Sequence, residues 1–402
     1  MLGRDVAITL PLLSRLVPHF GEDLEDLPQT LFEVAPTVLF AVPRYLQKFA
    51  SQVLIGIANT SGLKRRVYEL AIRYGRGYAR ARWDGGSGAA ATLAYRLLHA
   101  IAFRPILNKL GFDQLRLLVS GGAPLPPETM ALWQIWGVNL VEMYGQTETA
   151  GGIISGQQGP FARPGDVGTI PDGWEVRLGS DGEILVKSGD LFDGYWGHPE
   201  AGVIDAEGWL HTGDVGQWRD NAAEDPALAP RLRIVDRARD FMVTSGGKTL
   251  SPSYIENIVR ASAYVGEVVV FGHGRKYITA LIEIDYDTVA DWARSRNIAY
   301  TGFTSLTQHP EIERLVRGEI EHANAQLARV EQIKAFRILP KALDPEEEGE
   351  PVTPTRKVKR KLMYQRFEAL VESMYDAREE RLVAAGAGDV LEDRHAAHPA
   401  AH

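Results

Sequence analysis

The sequence contains no cysteine among its 402 residues. This absence excludes disulfide bonds, a thiolate nucleophile and zinc–thiolate sites, and it suits a protein of the reducing cytoplasm. Long apolar runs are lacking as well, because no stretch approaches the roughly 18 to 20 residues of a membrane-spanning helix. The first residues, MLGRDVAITLPLLSRLV, hold a short apolar piece and then Arg15, without a small-residue cleavage site, so a signal peptide is not expected.

Positive charge is not in excess either. Lysine and arginine number 44 against 52 acidic residues, which gives a net charge of −8. That balance disfavours a general nucleic-acid-binding protein, and no nucleic-acid partner is expected. Hydrophobic residues make up 45% of the chain and charged residues 24%, so a normal globular core can form. The length fits two or three domains, while the oligomeric state does not follow from it.

One segment departs from the acidic balance. Residues 64–83, KRRVYELAIRYGRGYARARW, hold seven bases and one acid. This pattern is typical of a solvated helix face, and it also fits contact with an anionic membrane surface or with the phosphates of a ligand. A solvated helix face is the favoured interpretation, and peripheral contact with the inner face of the cytoplasmic membrane is the alternative.

The first half of the chain has the pattern of a parallel α/β layer. PTVLFAVP (36–43) and LRLLVSGGAP (115–124) predict buried strands, and residues 44–107 between them are mostly helical in pattern. PETMALWQIWG (127–137) predicts a helix that ends at its glycine, and NLVEMYG (139–145) begins a third strand. In such sheets ligands bind beyond the carboxyl ends of the strands, which is where SGGAP and MYGQTE fall.

Two further sequence patterns follow in the rest of the chain. From residue 165 short strands such as EVRLG, EILVKSG and RLRIVDR alternate with turn residues, which predicts an antiparallel sheet or small barrel. After about residue 240 the pattern is compact α+β. The predicted division is a partial α/β subdomain (1–160), a β-rich subdomain (161–238), a small mobile α+β domain (239–383) and a disordered tail (384–402).

Two glycine loops at adjacent strand ends carry candidate chemistry. Glycines in SGGAP (120–124) allow the backbone to approach a flat ligand closely. In MYGQTE (143–148), Tyr144 can stack on a base, Thr147 can donate to a phosphate oxygen and Glu148 can ligate Mg²⁺, which prefers carboxylates and phosphate oxygens. Two ordinary strand-to-helix turns would give the same local sequence.

Three later segments add charged candidates. HTGD (211–214) ends a predicted strand with Asp214, which can accept from two ribose hydroxyls or can simply close a turn. DRARDFMVTSGGK (236–248) places two arginines beside a strand and ends in a glycine turn, a pattern that a salt-bridged surface hairpin shares. Lys357, in PTRKVKRK, suits a developing phosphate charge if its loop is mobile, whereas most basic runs are solvated.

Taken together, these segments resemble the adenylate-forming family, which includes acyl-CoA synthetases, luciferases and peptide-synthetase adenylation domains. The matching motifs span residues 115–362 and follow the family order: SGGAPL, MYGQTE, GEILVKSGDLFDGYW, GWLHTGD, RIVDRARDFMVTSGGKTLSPSYIEN and PTRKVKRK. Within this family, the segment SGGKTLSPSYIEN and the helical region before SGGAP most resemble the corresponding sequences of the long-chain fatty-acid–CoA ligase branch. The resemblance implies a partial large adenylation domain followed by a mobile C-terminal domain.

The resemblance also implies an activity. Such enzymes join a fatty carboxylate to AMP at the expense of ATP, with Mg²⁺ as the cofactor, and then transfer the acyl group to CoA. The implied nucleotide-binding residues are Gly122, Ala123, Pro124, Tyr144, Gly145, Thr147, Asp214 and Arg237. Thr147, Glu148 and Lys357 are the implied catalytic residues, with Glu148 also the metal ligand.

The same resemblance assigns residues to domain motion and to the second substrate. Arg239 falls at the family's hinge, about which the small domain rotates between the two half-reactions. The turn formed by Gly246, Gly247 and Lys248 would face the pantetheine arm of CoA in the thioester-forming arrangement.

Two departures from the family pattern qualify this expectation. Arg356 stands where the family usually has glycine before the catalytic lysine. The Ser/Thr/Gly-rich loop that grips pyrophosphate has no counterpart in this sequence, which leads to the expectation that Met1 is an internal methionine of a longer enzyme and that the 402-residue chain alone adenylates poorly. Two alternatives remain: a non-catalytic remnant that binds nucleotide or a partner, and a ligase whose acceptor is a carrier-protein thiol.

Overall fold

The computed structural model describes residues 5–21, 26–197, 202–219, 229–345, 347, 349–353 and 358–385. The chain divides into two compact units, residues 1–239 and 240–402. The predicted subdivision of the first unit at residue 160 stays a prediction. None of the described helices is both long enough and apolar enough to cross a bilayer.

The helices of the first unit come before the strands of its first sheet or between them in the chain. They are α1 (Leu10–Leu13), α2 (Leu27–Val34), α3 (Pro43–Ala58), α4 (Gly62–Trp83), α5 (Ala89–Leu98), α6 (Arg104–Lys109) and α7 (Pro127–Ile135). A π-helical turn, His99–Phe103, joins α5 to α6. The strands are β1 (Val38–Ala41), β2 (Leu117–Ser120), β3 (Leu140–Gly145), β4 (Ile153–Gly156), β5 (Glu175–Leu178), β6 (Glu183–Lys187), β7 (Leu210–Arg219) and β8 (Arg231–Arg237).

The first sheet has the order β1-β2-β3-β4. The first three strands are parallel, as the sequence predicts, and β4 is antiparallel to β3. Helix α7 starts at a proline, which is preorganised for the first helical position, and the chain then turns at Gly137, whose φ is +97°. Trp133 and Trp136 are fully buried, and their indole nitrogens donate to the Leu46 carbonyl oxygen and to the Tyr68 hydroxyl at 3.1 Å each. The predicted α/β class is confirmed.

The second sheet is antiparallel, with the order β5-β6-β7-β8. Its buried side chains, among them Ile184, Leu210 and Leu232, form one cluster with Ile154 of β4. This shared core ties the antiparallel sheet to the end of the parallel layer, so both belong to one compact unit.

The prediction that HTGD ends a strand is wrong. Strand β7 starts at Leu210 and continues to Arg219, so Asp214 lies in its middle. Gly213 adopts a φ of +69°, and the pairing of β7 with β8 shifts between Val215 and Gly216. This bulge lets the strand bend at the motif without ending there.

The second unit contains its own sheet and helices. The elements are β9 (Met242–Val243), β10 (Thr249–Leu250), α8 (Pro252–Arg260), β11 (Val265–Phe271), β12 (Ile278–Ile284), α9 (Tyr286–Ser295), α10 (Phe303–Thr307), α11 (Pro310–Asn324), β13 (Ile333–Ile338), α12 (Arg360–Arg366), α13 (Glu368–Glu372) and α14 (Ala377–Ala385). Strand β12 pairs antiparallel with β11 and parallel with β13.

The second unit is organised by two wholly buried strands. Every residue of β11 and of β12 is buried, as expected for apolar runs covered on both faces. Ser251 caps α8, because its hydroxyl accepts from the Tyr254 amide at 3.2 Å. Helix α14 continues to Ala385, so residues 384 and 385 are helical rather than part of a disordered tail. Their Ala-rich sequence favours continuation of the helix. The rest of that predicted tail, 386–402, lies outside the described residues.

Candidate nucleotide site

The turn after β3 is held by one buried hydroxyl. Thr149 is fully buried, and its Oγ1 accepts from the Gln146 amide at 3.2 Å. The same hydroxyl lies 2.8 Å from the carbonyl oxygen of Gln146 and 2.9 Å from that of Gly152. Ala150 turns the chain back with a φ of 52°. These contacts fix the shape of the turn, and they leave Thr147 exposed to solvent.

Gly145 is required at the point where β3 meets this turn. A Cβ added there would lie 2.4 Å from the carbonyl oxygen of Gly152, a backbone atom that cannot move aside cheaply. Gly156, on the paired strand β4, tolerates a Cβ, because the nearest atom would be Ile153 Cγ2 at 3.6 Å. Gly145 of the MYGQTE motif is thus a packing requirement, which adds to its predicted nucleotide contact.

Substituting Gly145→Ala should destabilise the first unit by about 1–3 kcal/mol, since overpacking forces the backbone to shift. Urea denaturation would measure the change in the free energy of unfolding. Gly156→Ala on the same hairpin is the matched control and should change it by much less. Equal effects of the two substitutions would contradict the close approach at Gly145.

Tyr144, Gln146 and Asp214 form a hydrogen-bonded cluster between the two sheets. The Tyr144 hydroxyl donates to Asp214 Oδ2 at 2.7 Å, and Gln146 Nε2 donates to the same oxygen at 2.6 Å. Gln146 Nε2 also lies 3.0 Å from the Thr212 carbonyl oxygen. The two predicted nucleotide residues, 70 positions apart in the chain, are therefore in direct contact.

The cluster leaves one carboxylate oxygen of Asp214 turned toward Arg237. The Arg237 Nε lies 3.7 Å from Asp214 Oδ1, and the two residues are paired across β7 and β8. A carboxylate has about four acceptor positions, so Oδ1 can still accept from hydroxyl groups. Burial and the neighbouring Asp214 carboxylate raise the pKa of Tyr144 well above its usual range, which keeps the phenol a donor at neutral pH.

Glu148 lies next to this cluster on the turn Thr147–Thr149. Its Oε1 accepts from the Tyr195 hydroxyl at 2.5 Å, and its carbonyl oxygen accepts from the Phe192 amide at 3.0 Å. The hydrogen bond to Glu148 raises the pKa of Tyr195. The described residues contain no cluster of three metal-ligating side chains. A single carboxylate nevertheless fits Mg²⁺, which is often held by one or two carboxylates together with substrate phosphates.

The glycine loop after β2 lies at the same sheet edge. Gly122, Ala123 and Pro124 are exposed, and Gly122 has a φ of +84°. Because β2 and β3 are neighbouring parallel strands, this loop and the turn after β3 leave the sheet side by side. The structure thus brings together the two loops that the sequence singled out.

Glu142 connects these two loops and was missed in the sequence. It is 6% exposed, and its Oε1 accepts from the Leu125 amide at 3.1 Å, directly after the glycine loop. Burial, with a smaller contribution from the carboxylate of Asp166, raises the pKa of Glu142 to about 8. A glutamate in a buried strand pattern was the available signal.

Gln146 and Tyr195 were also missed as site residues. Gln146 lies inside the quoted motif, but its side chain gains a role only because β7 comes close to the turn. Tyr195 is 47 residues from Glu148, and no local pattern links the two. Both partnerships depend on tertiary contact.

The remaining predicted residues lie elsewhere. Gly246, Gly247 and Lys248 form the exposed tip of the hairpin between β9 and β10 in the second unit, where the Gly247 amide donates to the Thr244 carbonyl oxygen at 2.9 Å. Arg239 is the last residue of the first unit, on the short 3₁₀ turn Ala238–Asp240. Lys357 lies outside the described residues. The roles of all five stay predictions.

Sequence comparison identifies two consecutive family models. Residues 4–196 match the AMP-binding enzyme model, and residues 239–379 match the AMP-binding enzyme C-terminal domain. The provisionally named fatty-acid–CoA ligase FadD11 of Mycobacterium tuberculosis is 33% identical over 88% of this chain and 61% of its own length. The long-chain-fatty-acid–CoA ligase FadD15 of Mycobacterium bovis is 31% identical over 90% of this chain and 58% of its own length. The chain therefore spans about three fifths of the length of these relatives.

Solved structures show the same fold. The adenylation domain of a carboxylate reductase from Mycobacterium chelonae has a TM-score of 0.58 and 19% identity, over 88% of this chain and 49% of that one. The adenylation domain of the carboxylic acid reductase from Segniliparus rugosus, in complex with AMP and a co-purified carboxylic acid, has a TM-score of 0.58 and 19% identity, over 89% of this chain and 50% of that one.

Proposed function

Because the chain belongs to the AMP-binding enzyme family, we propose that its residues serve the ATP-dependent activation of a long-chain fatty acid and the transfer of the acyl group to CoA. The observation that carries this proposal is the Tyr144–Gln146–Asp214 cluster, which brings two segments with predicted nucleotide roles into direct contact. The names of the relatives support the fatty-acid substrate.

The geometry supports a nucleotide lying over the edge of the first sheet. Tyr144 would cover one face of the adenine, with the glycine loop at its border. Asp214 would accept from the ribose hydroxyls through Oδ1, because Oδ2 already accepts two hydrogen bonds from the protein. Arg237 would lie near the ribose, beside that carboxylate.

The chemistry proceeds in two balanced steps. In the first, a fatty carboxylate oxygen attacks the α-phosphorus of ATP, the bond to pyrophosphate breaks, and acyl-AMP forms. In the second, the thiol of CoA loses its proton to solvent as its sulfur attacks the acyl carbonyl carbon, the bond to the AMP oxygen breaks, and AMP leaves. Thr147 would donate to the α-phosphate, and Lys357 would neutralise the developing charge.

Glu148 would hold the magnesium ion of this reaction. When bound, Mg²⁺ supplies positive charge to the phosphate oxygens. The Tyr195 hydroxyl, which donates to Glu148 Oε1, would orient the carboxylate. In the second unit, the turn Gly246–Gly247–Lys248 would face CoA after rotation about Arg239.

We also propose a cytoplasmic location, with peripheral contact at the inner face of the membrane. The absence of cysteine in the sequence suits a reducing compartment. An enzyme of long-chain fatty acids would find its substrate in the bilayer.

Transfer from a preformed acyl-adenylate tests this function without requiring the first step. Palmitoyl-adenylate would be supplied to the full chain together with CoA, and palmitoyl-CoA would be measured by mass spectrometry. We expect thioester formation well above the rate without protein, because the residues proposed to bind the nucleotide and CoA both belong to this chain. Gly247→Val at the hairpin tip should reduce the transfer without changing AMP affinity.

The same assay separates the alternatives. Transfer to a holo carrier protein but not to CoA would assign a carrier-protein acceptor. AMP binding without transfer to either thiol would identify a nucleotide-binding protein without catalysis. Failure to bind AMP at all would overturn the nucleotide site itself.

A further inference from the structure

Helix α4 presents two different faces. One face is buried: Tyr68 accepts from the Trp136 indole at 3.1 Å, and a Cβ on Gly75 would collide with Ile135 of α7. The opposite face carries Leu63 and Leu70, which are 75% and 58% exposed. Leucines on the solvent side of a long helix are unexpected, since such a face is usually polar.

The next helix repeats this arrangement. On α5 and the π turn after it, Leu93, Leu97 and Ile101 follow one another at intervals of four residues and are 61%, 60% and 66% exposed. The buried residues on the other side include Tyr95 and Phe103. The exposed stripe therefore continues over two turns and is not a scatter of single residues.

The two stripes are neighbours. Tyr78 of α4 and Tyr95 of α5 stack with ring centroids 4.2 Å apart, and the Tyr74 hydroxyl donates to the Ala91 carbonyl oxygen at 3.2 Å. Both helices turn their buried faces toward the same core, so their exposed faces share the outer side of the helical layer. We define the outer helical face by Leu63, Arg66, Leu70 and Arg73 of α4 together with Leu93, Arg96, Leu97, Ile101 and Arg104.

This region is basic in a chain of net negative charge. Residues 61–112 hold ten lysines and arginines and two acids, Glu69 and Asp84, whereas the whole chain has a net charge of −8. Arg66 and Arg73 lie one turn from Leu70 on the exposed face, and Arg96 lies one turn after Leu93. Apolar side chains interleaved with arginines match a surface that is apolar inside and negatively charged outside.

We propose that the outer helical face binds the surface of a bilayer that contains anionic phospholipids. The leucines and Ile101 insert among the acyl chains near the headgroups, and the arginines extend along them to the lipid phosphates. A nucleic acid would match the arginines alone and would leave the apolar stripe in water. The proposal names the surface for the peripheral membrane contact suggested above, and it does not require the nucleotide site to act in catalysis.

Vesicle sedimentation of the full chain tests this surface. We expect binding to vesicles of phosphatidylcholine mixed with phosphatidylglycerol, weak binding to phosphatidylcholine alone, and release at high salt. The double variant Arg66→Gln/Arg73→Gln should weaken binding by about tenfold or more. Leu93→Ser/Leu97→Ser should weaken it as well, because the inserted apolar area is lost.

Matched controls come from the second unit. Arg314→Gln on α11 removes the positive charge of a side chain that is 53% exposed. Val330→Ser replaces an apolar residue that is 49% exposed with a polar one. Neither should change vesicle binding. Absence of binding to anionic vesicles, or equal binding by the outer-face variants, would overturn the proposal. So would a dimer in sedimentation velocity that only the leucine variant dissociates, since the face would then be a contact between copies. AMP affinity should be the same in all these variants, so a failure here is distinct from a failure of the nucleotide site.

Discussion

Asp214→Asn should lower the affinity for AMP by about tenfold to a hundredfold. Hydrogen bonds to a charged group contribute about 1.5–3 kcal/mol, and each 1.4 kcal/mol is a factor of ten in affinity. The substitution removes the negative charge that ribose hydroxyls would meet, while asparagine keeps an oxygen that can accept from Tyr144 and Gln146. Isothermal titration calorimetry with AMP measures the change directly.

The control for this prediction is Glu175→Gln, which removes an exposed carboxylate from β5 of the same sheet. Its affinity for AMP should equal that of the unmodified chain. Circular dichroism would show whether Asp214→Asn keeps the fold, since Asp214 is only 8% exposed. An unchanged affinity in a folded Asp214→Asn variant would remove Asp214 from the nucleotide site.

Glu142→Gln should abolish a pH dependence of stability. In the folded protein the pKa of Glu142 is raised to about 8, above the 4.5 of an ordinary glutamate. Between these two values the folded state holds a proton that the unfolded state has released, so the stability contributed by the protonated group is lost as the pH rises. The free energy of unfolding should therefore fall by about 1.4 kcal/mol per pH unit from this group, and the glutamine variant should lack that slope.

Urea denaturation at several values between about pH 5.5 and 7.5 measures the slope. The charged group that acts on the pKa of Glu142 is the carboxylate of Asp166, which lies 2.9 Å from Arg219 and 3.9 Å from Arg231. Glu128→Gln on α7 removes an exposed carboxylate from the same part of the unit and should leave the slope unchanged. A slope shared by the unmodified chain and Glu142→Gln would show that another group binds the proton.

The Glu142 hydrogen bond also links pH to the candidate site. Its carboxyl group accepts from the Leu125 amide, which immediately follows the predicted adenine-bordering residue Pro124. Ionisation of the buried Glu142 carboxyl group would change the strength of its hydrogen bond to the Leu125 amide, and thus the attachment of the loop that contains Pro124. The sequence showed both loops, and its only signal for the side chain that joins them was a glutamate within a buried strand pattern.

Local patterns predicted the elements around the site well. Short continuous apolar runs with proline or glycine at their ends predicted β1, β2 and β3, and proline at the start of α7 with glycine after it marked that helix. The failure at HTGD has a physical reason. A glycine and an aspartate usually end a strand, but here the pairing with β8 continues through a bulge and overrides the local preference.

The sequence by itself determined the α/β class, the family and the identity of the candidate nucleotide residues, because these depend on short-range periodicity and on motifs that can be read in order. Only the tertiary structure decided that Gln146 donates to Asp214, that Tyr195 donates to Glu148 and that Glu142 is buried with a raised pKa. It also decided that Leu70 and Leu97 face outward on adjacent helices. Such facts depend on which distant segments meet and which faces stay uncovered, and the packing of the whole unit sets both.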